Sequence, residues 1–504
     1  MKKTIMTLLM AVAALLPTAA QDTLWTQYAD RFRANGIFSI ERFDSVEFRL
    51  DDDGVPILRM YSTAYSKGYG ERRVTALFGN DFGDKLYLHD PGRILYKPSA
   101  FGGMDFTNER SQWCFKRSKE SEHFVCFWED GLGDSPTRFS PDNLLSNAEK
   151  IWDLYVDSLG FLVPGRSKTD TYKIMLLVYE TTDWVASGSG YDLMIGALNV
   201  NPWAISSRSG MTVAHEIGHT FQYLVSCDLG TNHGFNYGYG DNASGGNGWW
   251  ESCANWQGYK CYPGIQFTDG EYLEGYFTRY HLNFLHEDQR YQNCFMQDYW
   301  CMKHGRDFIG RLWRESNKPE DPIEAYKRLC NLTQEEFLDE EYEGCARMAT
   351  FDIDGIREAA AAKIGNFPSH LTRLADGVTW QVDSAYCPQN YGYNILKLRN
   401  VAGGTVVKAH FKGIAGAQGY RAIRTENAGW RYGFVAMTNN GKRVYSPTYG
   451  DRESTVEFEV PSGTNRLFFV VMGAPTEHWR HPWDDSVVND EQWPYQVRFE
   501  NTDR

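Results

Sequence analysis

Residues 209–225 read Ser-Gly-Met-Thr-Val-Ala-His-Glu-Ile-Gly-His-Thr-Phe-Gln-Tyr-Leu-Val. Met211, Val213, Ala214, Ile217, Phe221 and Leu224 recur at helical spacing with no proline between them, which predicts a strongly apolar helix over this stretch. His215 and His219 stand four residues apart, so their imidazoles share one helical face and can grip a single metal ion. Glu216 falls beside that ion, where a carboxylate can take a proton from metal-activated water and deliver it to a leaving amine. Packing alone explains two histidines and a glutamate in such a helix poorly, because buried ionisable groups need partners. A zinc ion, Zn2+, would be that partner.

A zinc site of this kind needs a third protein ligand. Beyond a stretch dense in glycine and asparagine at 228–248, residues 248–256 read Gly-Trp-Trp-Glu-Ser-Cys-Ala-Asn-Trp and resume helical character. Glu251, a lone carboxylate among tryptophans and small residues, is the candidate. The competing reading pairs it with an arginine or makes it a cap of its own helix. An electrophilic group is also expected opposite the metal, and Tyr276, Tyr280, His281 and Tyr299 are suitable types that the sequence does not separate.

His215-Glu216-Ile217-Gly218-His219 followed by Glu251 on a later helix resembles the gluzincin zinc peptidases. That resemblance implies a zincin-like metallopeptidase domain, a mixed sheet plus helices, with zinc on His215, His219 and Glu251 and with Glu216 as general base. In that group a polar residue one turn after the glutamate ligand often orients a histidine ligand, and Asn255 holds that position where aspartate is more familiar. More narrowly, the chain is similar to secreted bacterial proteins identified as avirulence or virulence proteins. The residues that carry this likeness are Ser121-Glu122-His123-Phe124, Gly196-Ala197-Leu198-Asn199, the His215 helix, Trp249-Trp250-Glu251 and Gly473-Ala474-Pro475-Thr476-Glu477-His478-Trp479. It implies peptidase activity, endopeptidase before exopeptidase, on extracellular protein or glycoprotein. Residues 196–200 fit either a sheet edge that holds an extended peptide or an ordinary interior strand.

Outward from the motif, 504 residues are too many for one hydrophobic core. Residues 21–135 alternate short apolar and polar stretches, such as 45–50 and 55–61, and predict a β-rich amino-terminal region. Residues 136–366 predict the mixed α/β zinc domain, with a helix at 143–159, a buried strand at 172–179 and later helices at 272–285, 307–315 and 322–329. Residues 367–504 alternate again, at 406–411, 455–460 and 466–472, and predict a β-sandwich able to contact glycan. The expected fold class is therefore multidomain α+β.

Residues 1–20 combine Lys2 and Lys3 with an apolar run and small residues before Gln21, the pattern of a cleavable secretory signal. Export to the medium, the periplasm or the cell surface is the expectation, with no integral membrane segment once the signal is gone. The formal charge of −14 falls to −16 without Lys2 and Lys3, which disfavours nucleic acid. Of ten cysteines, Cys114 and Cys126 are the candidate disulfide, since 113–116 and 124–128 suggest two strands of one hairpin. His478, His481, Asp484 and Asp485 with Trp479 and Trp483 suggest a structured loop before a second metal or sugar site. Asp51 to Asp53 and Gly54 read as a turn, because Ser62 stands where a calcium loop needs glutamate. The sequence thus points to a secreted zinc endopeptidase. Its rivals are an inactive glycan-binding surface protein on the same scaffold and a zinc hydrolase of a non-peptide bond.

Overall fold

The computed structural model describes residues 45–50, 56–62, 72–77, 95–237, 246–484 and 486–504. The candidate signal at 1–20, the 51–54 turn and part of the glycine-rich stretch lie outside the described residues. The protein is mixed α+β with several sheets. It divides into two compact units, Met1–Thr231 with Lys303–Arg314, and Asn232–Met302 with Glu315–Arg504. The chain therefore passes between units three times within 136–366.

In the first unit, β1 (Ser45–Leu50), β2 (Pro56–Ser62) and β3 (Arg72–Leu77) form an antiparallel meander. A second sheet holds β4 (Ser118–Glu120), β5 (Phe124–Trp128), β6 (Ile174–Val178), β7 (Ala186–Tyr191) and β8 (Ile195–Val200), in the order β4-β5-β6-β8-β7. Its three inner strands are parallel and its two marginal strands antiparallel. Every residue of β5 and β6 is buried, as central parallel strands covered on both faces require. Val125, Phe127, Met175, Leu177, Ile195 and Ala197 pack on one face with Phe106 and Trp113. On the other, Trp152 of α1 (Pro141–Asp153) sets its ring edge-on to Phe124 and to Phe221 of α2 (Met211–Leu229).

Residues 196–200 belong to β8, an interior strand, and the sheet edge is β7. The hairpin expected from 113–116 forms a few residues later. Phe115–Arg117 turn as a 3-10 helix, and the buried Arg117 donates to the carbonyls of Trp128 and Ser111, at 3.2 and 3.0 Å. Lys119, not Cys114, consequently stands opposite Cys126, and both cysteines are buried free thiols.

The segment Lys303–Arg314 returns to the first unit through the helix Phe308–Glu315, whose Phe308, Ile309, Leu312 and Trp313 are wholly buried. A Cβ on Gly310 would lie 2.1 Å from the Leu159 carbonyl oxygen, and Arg314 Nε donates to Gly160 O at 2.8 Å.

The second unit contains α3 (Gly246–Cys261), further helices that include α4 (Gln334–Met348), and a β-sandwich. The sandwich strands are β9 (Leu371–Arg373), β10 (Thr379–Val382), β11 (Tyr393–Leu398), β12 (Val406–Gly413), β13 (Trp430–Thr438), β14 (Arg443–Tyr445), β15 (Glu453–Glu459), β16 (Thr464–Gly473) and β17 (Tyr495–Glu500). One sheet runs β9-β10-β17-β12-β15 and the other β11-β16-β13-β14, all antiparallel. Val407, Phe411 and Val497 from the first interleave with Phe434, Phe469 and Val471 from the second in one core. Among the described residues no helix is long and apolar enough to cross a membrane.

Candidate metal centre

The motif helix α2 starts abruptly. Arg208, Ser209 and Gly210 all take left-handed φ values, 48°, 55° and 96°, and turn the chain into Met211. Tyr155 ties the helix down by donating to Ala214 O at 2.8 Å, and Thr220 Oγ1 donates to Ala197 O of β8 at 3.2 Å. The edge strand β7 lies hard against the same helix. A Cβ at Gly188 would fall 1.7 Å from Glu216 O, and one at Gly190 would fall 2.2 Å from the Tyr223 ring. Glycine at these positions is what lets strand and helix approach so closely.

On this helix His215, Glu216 and His219 are buried, each 7% exposed, and offer one donor atom apiece within 4.8 Å of one another. The two Nε2 atoms are 3.1 Å apart and the rings nearly perpendicular, at 89°. Gln222, 1% exposed, sets Oε1 2.9 Å from His219 Nδ1. A carbonyl oxygen there places the ring proton on Nδ1 and leaves the Nε2 lone pair facing His215. Two imidazole nitrogens held this close need a proton or a cation between them, and nitrogen donors of this kind suit zinc. The residues present therefore fit a metal ion. Sequence reasoning missed Gln222, although a glutamine three residues after the second histidine of a buried helix is a legible signal.

Glu251 and Asn255 lie on α3, in the second unit. Glu251 is 8% exposed and Asn255 1% exposed. The Asn255 amide donates to Tyr291 O at 2.8 Å. Of the four electrophile candidates, three have hydroxyls engaged inside this unit. Tyr276 bonds Tyr393, Tyr280 donates to Pro368 O at 2.6 Å, and Tyr299 donates to Glu343 Oε2 at 3.0 Å. Burial pushes all three phenols above their ordinary range. His281 is buried against Tyr386, and burial brings its imidazole well below the usual histidine range.

The cluster near the carboxyl terminus does not form one site. His478 spans Tyr391 and Asp321, both at 2.9 Å, and Asp484 accepts from Ser486 N at 3.0 Å; Asp485 lies outside the described residues. His481 instead joins His286 and Asp490, a buried group with Glu287 beside it.

A family model described as "Family of unknown function (DUF6055)" matches residues 90–504. No curated protein matches the chain. Among solved structures, the chain is similar to one titled "The crystal structure of a functionally unknown conserved protein mutant from Bacillus anthracis str. Ames". The two are 11% identical with a TM-score of 0.27, over 83% of this chain and 91% of that one.

Proposed function

We propose, for a chain that belongs to the DUF6055 family and inherits no activity from that membership, the chemistry its own metal-ligating residues allow: zinc-dependent hydrolysis of peptide bonds in extracellular proteins or glycoproteins. The observation that carries the reading is the buried His215–His219 pair, Nε2 to Nε2 at 3.1 Å, with Gln222 fixing the ring of His219. Glu251 is proposed as the third ligand on the strength of the gluzincin resemblance, and Asn255 as its companion. The first unit's mixed sheet is read as zincin-like, because its antiparallel edge strand lies along the motif helix.

Bound zinc would polarise the scissile carbonyl and lower the pKa of a water molecule. Glu216, next in the chain to one histidine ligand, receives the proton of that water and passes it to the leaving amine. β7 offers a peptide its free edge. Beyond β8 it pairs with no other described strand, and its Ser187 and Ser189 are exposed, so an extended substrate can add to it by backbone hydrogen bonds. This replaces 196–200 as the peptide-binding edge. The leader at 1–20 and the sandwich, as signal and as glycan contact, complete the proposal of a secreted, periplasmic or cell-surface endopeptidase of virulence-protein type.

Elemental analysis of the purified chain, with Glu216→Ala and Glu251→Ala beside the wild type, tests it. About one zinc per chain, retained in Glu216→Ala and lost in Glu251→Ala, is expected, with cleavage of unfolded protein substrates abolished in both. A wild type that takes up no zinc overturns the reading. Zinc uptake with cleavage of a non-peptide bond alone, identified by mass spectrometry of the products, would redirect it to another hydrolase.

A further inference from the structure

The helix that carries Glu251 is braced along one flank by the segment 283–291. At its start, a Cβ on Gly248 would come within 2.7 Å of Leu285 O, so the first turn of α3 rests directly on that backbone. Two turns later Asn255 bonds Tyr291 O. Glu251 lies between these two contacts.

The bracing segment is held by the carboxyl-terminal part of the chain. His481 Nε2 meets Glu287 Oε2 at 2.9 Å, and His286 Nε2 meets Asp490 Oδ2 at 3.2 Å. All four side chains are at most 4% exposed. Gln389 strengthens the hold, donating from Nε2 to Asp490 Oδ2 at 3.0 Å and accepting at Oε1 from Asn283 N at 2.8 Å. Arg421 Nε fixes the Asp490 carbonyl at 2.7 Å. The group has the composition of a metal site but not its free donors. The backbone N–H of Asp288 donates to His286 Nδ1 at 3.0 Å, which puts the ring proton on Nε2, where Asp490 accepts it. Neither nitrogen of His286 keeps a lone pair for a cation. The four residues are two charge-assisted hydrogen-bonded pairs that close on one turn of chain.

We infer that this buried histidine–carboxylate clasp, His481–Glu287 and His286–Asp490, is the positioning device for Glu251: the carboxyl-terminal segment fixes the 285–287 turn, the turn seats α3, and α3 aims its carboxylate. The inference rests on the zinc reading of Glu251. Within the second unit it gives the loops of the sandwich a part in aiming Glu251, beyond any contact they make with substrate. Groups hydrogen-bonded directly to metal ligands typically alter affinity by about 10–100-fold when removed, and the clasp, which acts through the 285–287 turn, is expected at the lower end.

The test compares wild type, Glu287→Gln and Asp490→Asn, each confirmed as folded by circular dichroism, in two measurements: zinc affinity by chelator competition, and amide hydrogen exchange over 248–256. Zinc binding about tenfold weaker in each variant is expected, with exchange over 248–256 faster than in the wild type. Unchanged zinc affinity in a folded clasp variant, whatever its exchange, overturns the inference. A wild type that binds no zinc overturns the zinc reading instead, and exchange over 248–256 then decides alone whether the clasp seats the helix. Should Glu287→Gln fail to fold, Asp490→Asn carries the test, because Gln389 retains an acceptor there.

Discussion

Gln222 Oε1 stands 2.9 Å from His219 Nδ1, and both side chains are buried on the same helix one turn apart. The contact fixes the tautomer that a metal-binding Nε2 requires. Gln222→Ala is expected to weaken zinc binding by about 10–100-fold, the usual cost of losing such a partner, while Gln222→Glu keeps an acceptor and most of the affinity. Chelator competition reads both, and an alanine variant as tight as wild type removes Gln222 from the centre.

The contact between Gly188 and Glu216 O leaves no room for a methyl group. Gly188→Ala must push the edge strand away from the motif helix, and forced overpacking of this kind costs about 1–3 kcal/mol. Urea denaturation should report that loss, and zinc affinity should fall with it. A variant of unchanged stability would mean that the strand does not bear on the helix.

Glu341 gives a signature between pH 4.5 and about 8. Burial, opposed by the bond from Trp300 Nε1 at 3.2 Å and reinforced by Glu340, raises its carboxyl from 4.5 to about 8, and its Oε1 has no hydrogen-bond partner among the described residues. Between those values the folded chain keeps a proton that the unfolded chain has released, so this group makes stability fall as pH rises through the window. Glu341→Gln should flatten that part of the profile, measured as melting temperature against pH. A slope identical to wild type would exclude Glu341 as its source.

Glu287 acts with the opposite sign. Burial alone would raise its carboxyl, but the His481 hydrogen bond and the charge of His481 overcome it and hold the group well below its ordinary 4.5. Its contribution to stability is therefore complete above pH 4.5 and is lost as pH falls through the lowered value. Burial likewise works against the His481 charge, yet the Glu287 bond and nearby carboxylates raise its pKa, so its contribution is lost as pH rises through the raised value. Glu287→Gln should lessen the acid-side loss of stability in the same melting series; an acid limb equal to that of wild type would show that the pair is energetically silent.

The motif was legible because its two periods coincide. Ile217, Phe221 and Leu224 mark the buried face of α2, and His215 and His219 share the spacing of one turn. The sandwich strands were legible from alternation, as at Val406–Gly413, where polar and buried residues take turns. What could not be read was long-range pairing. Residues 196–200 suit an edge or an interior strand equally well by composition, and only the hydrogen bonds to Ile174–Val178 and Ala186–Tyr191 decide between them. Gln334–Met348 was missed for another reason. Six carboxylates give it a polar appearance, yet Thr333 and Glu336 form a capping box, and Glu340 and Glu341 are buried against Tyr326 and Trp300. The clasp was hidden because His286 and His481 lie almost two hundred residues apart.

The docking of Phe308–Trp313 beside Leu159 and Gly160 has a consequence during synthesis. A ribosome delivers the sheet and the motif helix long before it delivers the helix that completes their unit, and the intervening residues 232–302 belong to the other unit. The seat formed by Leu159 and Gly160 stays empty until then, and no uninterrupted fragment ending at Thr231 contains all of its own core.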